Sequence, residues 1–305
     1  MNDVLTLRDL EAWSYPGTAL AVLGHPIGHS LSPAMHNAAL SALARDDPAW
    51  GGWRYFRFEV PPDELPRALD LLRARSFHGI NLTVPHKVIA FGRMAEIDDA
   101  ARPAGAVNTL RSSPRGWHGF NTDGYGLSAA LRATLGLELA DAAVVLLGAG
   151  GAARGAAVEC LQRGCAGLWI VNRTPAHLET LLAVVRPLAG RIPIHGLVTA
   201  GAQGALASIG PGAILINATS AGLHGSDPAP LDLAALPRPA GVYDMIYNPP
   251  RTALLREAAS LGVPWANGLS MLVHQGAKAL EIWTGIPAAR TAPVMQEAAE
   301  AAARN

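Results

Sequence analysis

Of the 24 basic residues in this chain only two, Lys87 and Lys278, are lysine. Lysine is ordinarily among the commoner residues, and a genome-wide drift toward arginine would explain the ratio without chemistry. A lysine retained under such drift is still a candidate for work a guanidinium cannot do, since a desolvated ammonium can release its proton near neutrality. Lys87 has the setting for it. It closes the run Gly79-Ile80-Asn81-Leu82-Thr83-Val84-Pro85-His86-Lys87, an apolar strand that ends in polar residues and a proline turn. Ligands of α/β proteins gather beyond the carboxyl ends of strands. A solvated surface lysine is the plain alternative, and His86 beside it reads as a packing or loop histidine. Asn108, within Gly105-Ala106-Val107-Asn108-Thr109, and Asp123, within Gly119-Phe120-Asn121-Thr122-Asp123-Gly124, are each most simply turn residues. Taken with Lys87, Asp123 would complete a carboxylate–ammonium pair that holds and tunes a proton-transfer group.

A second chemistry is written in Gly148-Ala149-Gly150-Gly151-Ala152-Ala153, which follows an apolar strand and opens a helical stretch. This is G-x-G-x-x-A in the context that dinucleotide binding requires. Small residues let the backbone approach a pyrophosphate, and the helix N-terminus supplies N–H donors and the positive dipole end. An ordinary tight strand-to-helix turn would use the same glycines. The next strand runs into Asn172-Arg173-Thr174 with no carboxylate for the ribose hydroxyls. A guanidinium suits a 2′-phosphate, so Arg173 predicts NADP over NAD.

A third cluster is Gly24-His25-Pro26-Ile27-Gly28-His29-Ser30-Leu31-Ser32-Pro33. Ser30 and Ser32 straddle an expected helix start, with Ser32 as N-cap and Pro33 at the first helical position. Two hydroxyls and unpaired backbone donors there could hold a carboxylate. His25, His29 and His36 do not share one helical face, and no acid within the motif completes a set, so no metal site is expected.

The elements that must position these groups follow the α/β pattern of short apolar runs alternating with Ala/Leu-rich stretches. Strands are expected at 19–23, 54–60 and 79–82, with helices near 33–44 and 62–75. A polar, turn-rich segment over 111–124 then precedes a helix from Tyr125 to Leu135. Further strands are expected at 144–147, 168–171, 214–216 and 242–244, a βαβ series of the dinucleotide-binding type. The stretch 268–304 reads as helical, broken by Pro287 and Pro293. Length bounds the whole: 305 residues suggest about two domains. The 24 basic residues balance 24 acidic ones, which argues against nucleic-acid binding and against a polybasic membrane surface. The longest apolar run, 142–153, is too short and too glycine-rich to cross a bilayer. The opening MNDVLTLRDLEAW lacks a basic-then-apolar leader, and the two cysteines, Cys160 and Cys165, form no scaffold; both point to a reduced, cytoplasmic protein.

The ordered motifs GHPIGHSLSPAMHN, GINLTVPHK, GAVNT, NTDG, GAGGAA, NRT, NATSAG, YDMIYNPPRT and NGLSMLVHQGAKA, which span most of the chain, resemble the shikimate dehydrogenase family. The resemblance implies a two-domain α/β fold: an N-terminal substrate domain completed by C-terminal helices (1–123 and 268–305), and a Rossmann NADP-binding domain (124–267). It implies NADP-dependent interconversion of 3-dehydroshikimate and shikimate, without metal. It places Ser30 and Ser32 at the substrate carboxylate. Thr83, Asn108, Tyr247 and Gln275 fall at the ring hydroxyls or carboxylate, and Lys87 and Asp123 are the catalytic pair, with Asp123 also touching substrate. Gly148, Ala149, Gly150, Gly151 and Ala152 match one NADP loop, and Asn172, Arg173 and Thr174 the other. Met245 and Gly268 line the nicotinamide, and Asp99 is an acid near the cofactor. One departure is His177, where the family often has a second Arg or Lys three residues after the threonine; with Pro175 inside that loop, Arg173 would act alone and NAD becomes an alternative. Rival readings are a quinate or aminoshikimate paralogue, or a non-catalytic sensor of the same ring. A small-molecule substrate is implied in each case, and a homodimer is compatible with all of them.

Overall fold

The alternating runs fold, in the computed structural model, into two six-stranded sheets flanked by helices, with residues 4–304 described. They form two compact units, one made of the chain up to Thr122 together with residues from Val273 onward, the other of Asp123–Leu272.

The first unit contains α1 (Leu7–Glu11), β1 (Thr18–Gly24), α2 (Ser32–Asp46), β2 (Trp53–Glu59), α3 (Leu65–Ala74), β3 (Gly79–Leu82), α4 (His86–Phe91), β4 (Glu96–Ile97), β5 (Thr109–Ser113) and β6 (Gly116–Phe120). Its sheet has the order β2-β1-β3-β5-β6-β4. Strands β1, β2 and β3 are parallel, β5 runs antiparallel to both β3 and β6, and β4 is parallel to β6. Leu20, Ala21, Val22 and Leu23 of β1 are buried, as a central parallel strand covered on both faces must be.

The second unit follows as α5 (Asp123–Leu135), β7 (Ala143–Leu147), α6 (Gly151–Gln162), β8 (Gly167–Asn172), α7 (Pro175–Val185), β9 (Ile194–Val198), α8 (Gln203–Ala207), β10 (Ile214–Asn217), β11 (Gly241–Asp244), α9 (Ala253–Ser260) and β12 (Trp265–Asn267). All pairings are parallel, in the order β12-β11-β10-β7-β8-β9. Numbered from β7 as the first strand, this is 3-2-1-4-5-6, the doubly wound order of dinucleotide-binding sheets. Helix α10 (Leu269–Thr284) begins in this unit and ends in the first, and α11 (Ala288–Ala303) packs against α2. Trp283 on α10 donates its indole N–H to the Leu110 carbonyl at 2.9 Å, tying the C-terminal helices to the first sheet. No described helix is long and apolar enough to cross a membrane.

Several expected boundaries move. The segment 111–124 is largely a hairpin, β5–β6, in which Ser113 pairs with Gly116 across Pro114-Arg115. Asp123 is the first residue of α5 rather than a loop residue, an acid well placed in the first turn of a helix. Ser32 is not the N-cap: Leu31 is, and the Ser30 hydroxyl accepts the Ser32 N–H at 3.3 Å, leaving the Ser32 hydroxyl for other partners. Pro175 opens α7 instead of lying in a loop, since proline at the first helical position gives up an N–H that is unpaired anyway. Residues 62–64 form a short 3-10 turn before α3. Pro287 does separate α10 from α11, but Pro293 sits inside α11, which continues through it with Thr291, Ala292 and Met295 buried around it.

His36 on α2 is fully buried, and its ring stacks on Tyr55 at 4.1 Å with an interplanar angle of 2°. Neither ring nitrogen has a hydrogen-bond partner, and burial pushes its pKa down to about 3. The unfolded ring titrates near 6.5, so between these values the unfolded chain binds one more proton than the native chain. The stability this group contributes is present above about pH 6.5 and is lost as pH falls toward about 3. His86 and His274, also lowered by burial, act in the same sense, while Asp244, raised by burial, acts in the opposite one. His36→Phe, which keeps the stack, is therefore expected to flatten the acid limb of urea-unfolding free energy against pH by close to one proton relative to wild type. Superimposable slopes would contradict it.

Candidate active site

Polar side chains of the first unit gather at one end of its sheet, because the carboxyl ends of β1, β3 and β6 and the start of β5 all lie there. The loop after β1 brings Ser30 and, at the head of α2, Ser32. Thr83 follows β3, and α4 then presents Lys87 as its second residue. The backbone around Lys87 is pinned. The His86 ring nitrogen Nε2 lies 2.9 Å from the Val60 carbonyl, the His86 N–H donates to Thr83 at 2.8 Å, and the Val107 N–H donates to the Lys87 carbonyl at 2.9 Å. Asn108, 1% exposed, is a hub. Its Oδ1 accepts from the Thr122 N–H at 2.9 Å and from the Thr109 hydroxyl at 3.0 Å, while Nδ2 donates to Gln275 Oε1 at 3.3 Å and to the Thr122 hydroxyl at 3.0 Å. Asn81 Nδ2 donates to Thr109 at 3.0 Å, and its Oδ1 accepts from Tyr55 at 2.8 Å. Groups this buried cost about 1–3 kcal/mol each when left unpaired, so the network holds its members in fixed orientations.

In the second unit the glycine loop lies where the strand order reverses, between the ends of β7 and β10. Gly148 has φ +111°, and a Cβ there would sit 3.0 Å from the Ala218 carbonyl oxygen. The space above Gly150 and Gly151 is open, and α6 starts with Gly150 as a cap that offers no side chain. Its first-turn N–H groups are thus covered by no capping side chain, as the approach of a pyrophosphate requires. Ala149 lies in the turn and Ala152 in the first turn of α6. Asn172 ends β8 and donates to the Thr174 carbonyl at 2.9 Å; Arg173 is exposed beside it, and His177 is exposed in the first turn of α7. Further along, Met245 and Gly268 come together: a Cβ on Gly268 would meet the Met245 carbonyl oxygen at 2.0 Å. Asp244, fully buried, accepts from Asn217 at 3.0 Å, from Thr252 at 2.7 Å and from the Ile246 N–H at 3.0 Å, which fixes the loop bearing Met245 and Tyr247. Burial pushes the carboxyl of Asp244 and the phenol of Tyr247 up.

The expected residues therefore fall into two sets. Ser30, Ser32, Thr83, Lys87, Asn108 and Gln275 belong to the first unit; Asp123, Tyr247, the glycine loop, Asn172 to Thr174, His177, Met245 and Gly268 belong to the second. Asp99 lies in the first unit, exposed and paired with Arg102 at 3.0 Å. Lys278 pairs with Glu281 one turn along α10 at 2.5 Å, a helix-surface contact that accounts for the second lysine without chemistry. Residues that motif spacing did not single out are Tyr55, Thr109 and Thr122 around Asn108, and Asn217, Thr219, Thr252 and Asp244 under Met245. The available signal was polar residues at strand ends within apolar runs, as in NLT, VNT, NATS and VYD. His25 pairs with Glu59 at 3.4 Å, and no three His, Cys, Asp or Glu among the described residues group as a metal site would.

Comparison with known proteins places this arrangement. The family described as the shikimate dehydrogenase substrate binding domain matches residues 22–110, and the shikimate 5'-dehydrogenase C-terminal domain matches 268–300. The NADP(+) shikimate dehydrogenase of Citrifermentans bemidjiense is 41% identical over 266 residues, 87% of this chain and 89% of its own. Shikimate 5-dehydrogenase of Thermus thermophilus, solved with NADP(H) and shikimate, superimposes with TM-score 0.79 at 36% identity, covering 93% of this chain and 99% of that one. The 5-ketofructose reductase of a Gluconobacter strain, in its ligand-free form, superimposes with TM-score 0.75 at 31% identity, covering 93% and 99%.

Proposed function

Because the chain belongs to the shikimate dehydrogenase family, we propose that it interconverts 3-dehydroshikimate and shikimate with NADP(H). The observation that carries the reading is the gathering of Ser32, Thr83, Lys87, Asn108 and Gln275 at one end of the first sheet. A hydroxylated ring acid needs that mix of donors and acceptors beside a proton-transfer group. The first unit is taken as the substrate domain and the second as the cofactor domain. Ser30 and Ser32 meet the carboxylate, while Thr83, Asn108, Tyr247 and Gln275 read the ring. Lys87, assisted by Asp123, donates a proton to the ring oxygen in reduction and accepts it in oxidation. NADP(H), when bound, supplies or takes up the hydride. The glycine loop cradles its pyrophosphate, Arg173 its 2′-phosphate, with Asn172, Thr174 and His177 alongside; Met245 and Gly268 border the nicotinamide position, and Asp99 is assigned to the cofactor side on family likeness alone. The free, buried thiols of Cys160 and Cys165 support a reducing compartment such as the cytoplasm, and a homodimer is the assembly to check by sedimentation.

The 5-ketofructose reductase shares the fold, so substrate choice must be measured. Initial rates with shikimate and with quinate, each with NADP+ and with NAD+, are expected to be highest for shikimate with NADP+. Faster turnover of quinate would reassign the protein to the paralogue class. Ligand binding without any cofactor reduction would make it a sensor.

A further inference from the structure

Tyr55 lies on β2, is fully buried, and has one hydroxyl proton whose direction the geometry determines. Asn81 Nδ2 is 3.1 Å from the Asn108 carbonyl, which can only accept, so the amide nitrogen faces that side and Oδ1 faces Tyr55. Tyr55 therefore donates its hydroxyl proton to Asn81 at 2.8 Å. The same logic orients the next amide. The Thr122 N–H can only donate, so Asn108 Oδ1 faces it and Asn108 Nδ2 faces Gln275. The Thr109 hydroxyl accepts from Asn81 and donates to Asn108, joining the two halves. A single directed chain runs from Tyr55 through Asn81, Thr109 and Asn108 to Gln275. His36, stacked on the Tyr55 ring, holds the plane of the phenol.

We propose that Tyr55 is a positioning residue for substrate binding: its hydroxyl anchors Asn81, and through Asn81 and Thr109 it holds the Asn108 and Gln275 amides in place for the ring. The proposal rests on the reading of the protein as a shikimate dehydrogenase. A satisfied buried chain has one arrangement, whereas removal of the phenolic oxygen leaves Asn81 Oδ1 buried without its donor, so Asn81 shifts and the Thr109 hydroxyl it donates to holds Asn108 less firmly. The Asn108 and Gln275 amides would then be displaced from the positions that meet the ring.

Tyr55→Phe tests this, because it keeps the ring and its stack on His36 and deletes one oxygen. In steady-state oxidation, its KM for shikimate is expected to rise about tenfold, as for loss of one buried hydrogen bond, with KM for NADP+ unchanged and kcat less affected. Thr109→Val breaks the chain two links on and is expected to act in the same direction. The double variant should raise KM by less than the product of the single effects, since both act through the Asn108 amide. An unchanged KM for shikimate in Tyr55→Phe overturns the proposal. So do multiplicative effects, or parallel shifts of both KM values with the melting temperature, the pattern of general loosening. Wild-type protein that reduces no NADP+ with shikimate would overturn the functional reading itself and the proposal with it, whereas active wild type beside an unchanged variant overturns the proposal alone.

Discussion

Replacing Lys87 by alanine is expected to lower kcat by about 10²–10⁴-fold, the range for loss of a general acid–base group, with little change in substrate binding. The fold should tolerate it. Lys87 is half-exposed on α4, its neighbours hold the backbone through His86 and Val107, and alanine is a good helix former. Lys87→Arg separates charge from proton transfer. A guanidinium keeps the positive charge but does not release a proton near neutrality. If proton transfer is the role, the arginine variant should be nearly as slow as the alanine one in single-turnover measurements. Near-normal turnover of either variant at neutral pH would remove Lys87 from the chemistry.

The second large effect is expected at Gly268. A Cβ there would lie 2.0 Å from the Met245 carbonyl oxygen and 2.5 Å from its carbon, atoms of a backbone held in place by Asp244, Asn217 and Thr252. The Gly268 N–H also donates to the Ile246 carbonyl at 3.1 Å, so the two segments cannot part without losing that bond. Gly268→Ala should therefore shift Met245 and destabilise the protein by about 1–3 kcal/mol, the usual cost of overpacking. Displacement of roughly 1 Å beside a reacting centre lowers kcat/KM by about 10²-fold. Thermal melting and steady-state kinetics together check this; a variant with wild-type melting temperature and wild-type kcat/KM would show that Met245 has room to move.

How much of this was legible in the sequence depended on locality. The bounds of β3 read directly from GINL, where apolar residues stand between a glycine and a proline turn. The β5–β6 hairpin did not, because Arg111, Ser112 and Ser113 are polar and only half-buried, Pro114 and Arg115 are exposed, and only Leu110, Trp117 and their neighbours declare a buried face. Edge strand β9 was hidden for a like reason: His195 and Gly196 are exposed, so the run IHGLV lacks the continuous apolar signal of β7 and β10. In the site, Lys87, Asn108 and the glycine loop stood out through their motifs. Tyr55 did not, since its partner Asn81 lies 26 residues away and no spacing rule joins strands of a parallel sheet. Likewise Asp244 looks like the end of a strand until Thr252 and Asn217 are folded against it.

The split of the first unit has a consequence for biosynthesis. The second unit is one continuous stretch, Asp123–Leu272, and can close while the ribosome is still at work. The first unit cannot, because α2 awaits α11 and the first sheet awaits Trp283, both made only after the whole second unit. At about 5–20 residues per second, the face of α2 that α11 covers stays open for many seconds after its own synthesis. The earlier-made unit is thus the later to finish, and its half-built core is the surface a nascent-chain chaperone would meet.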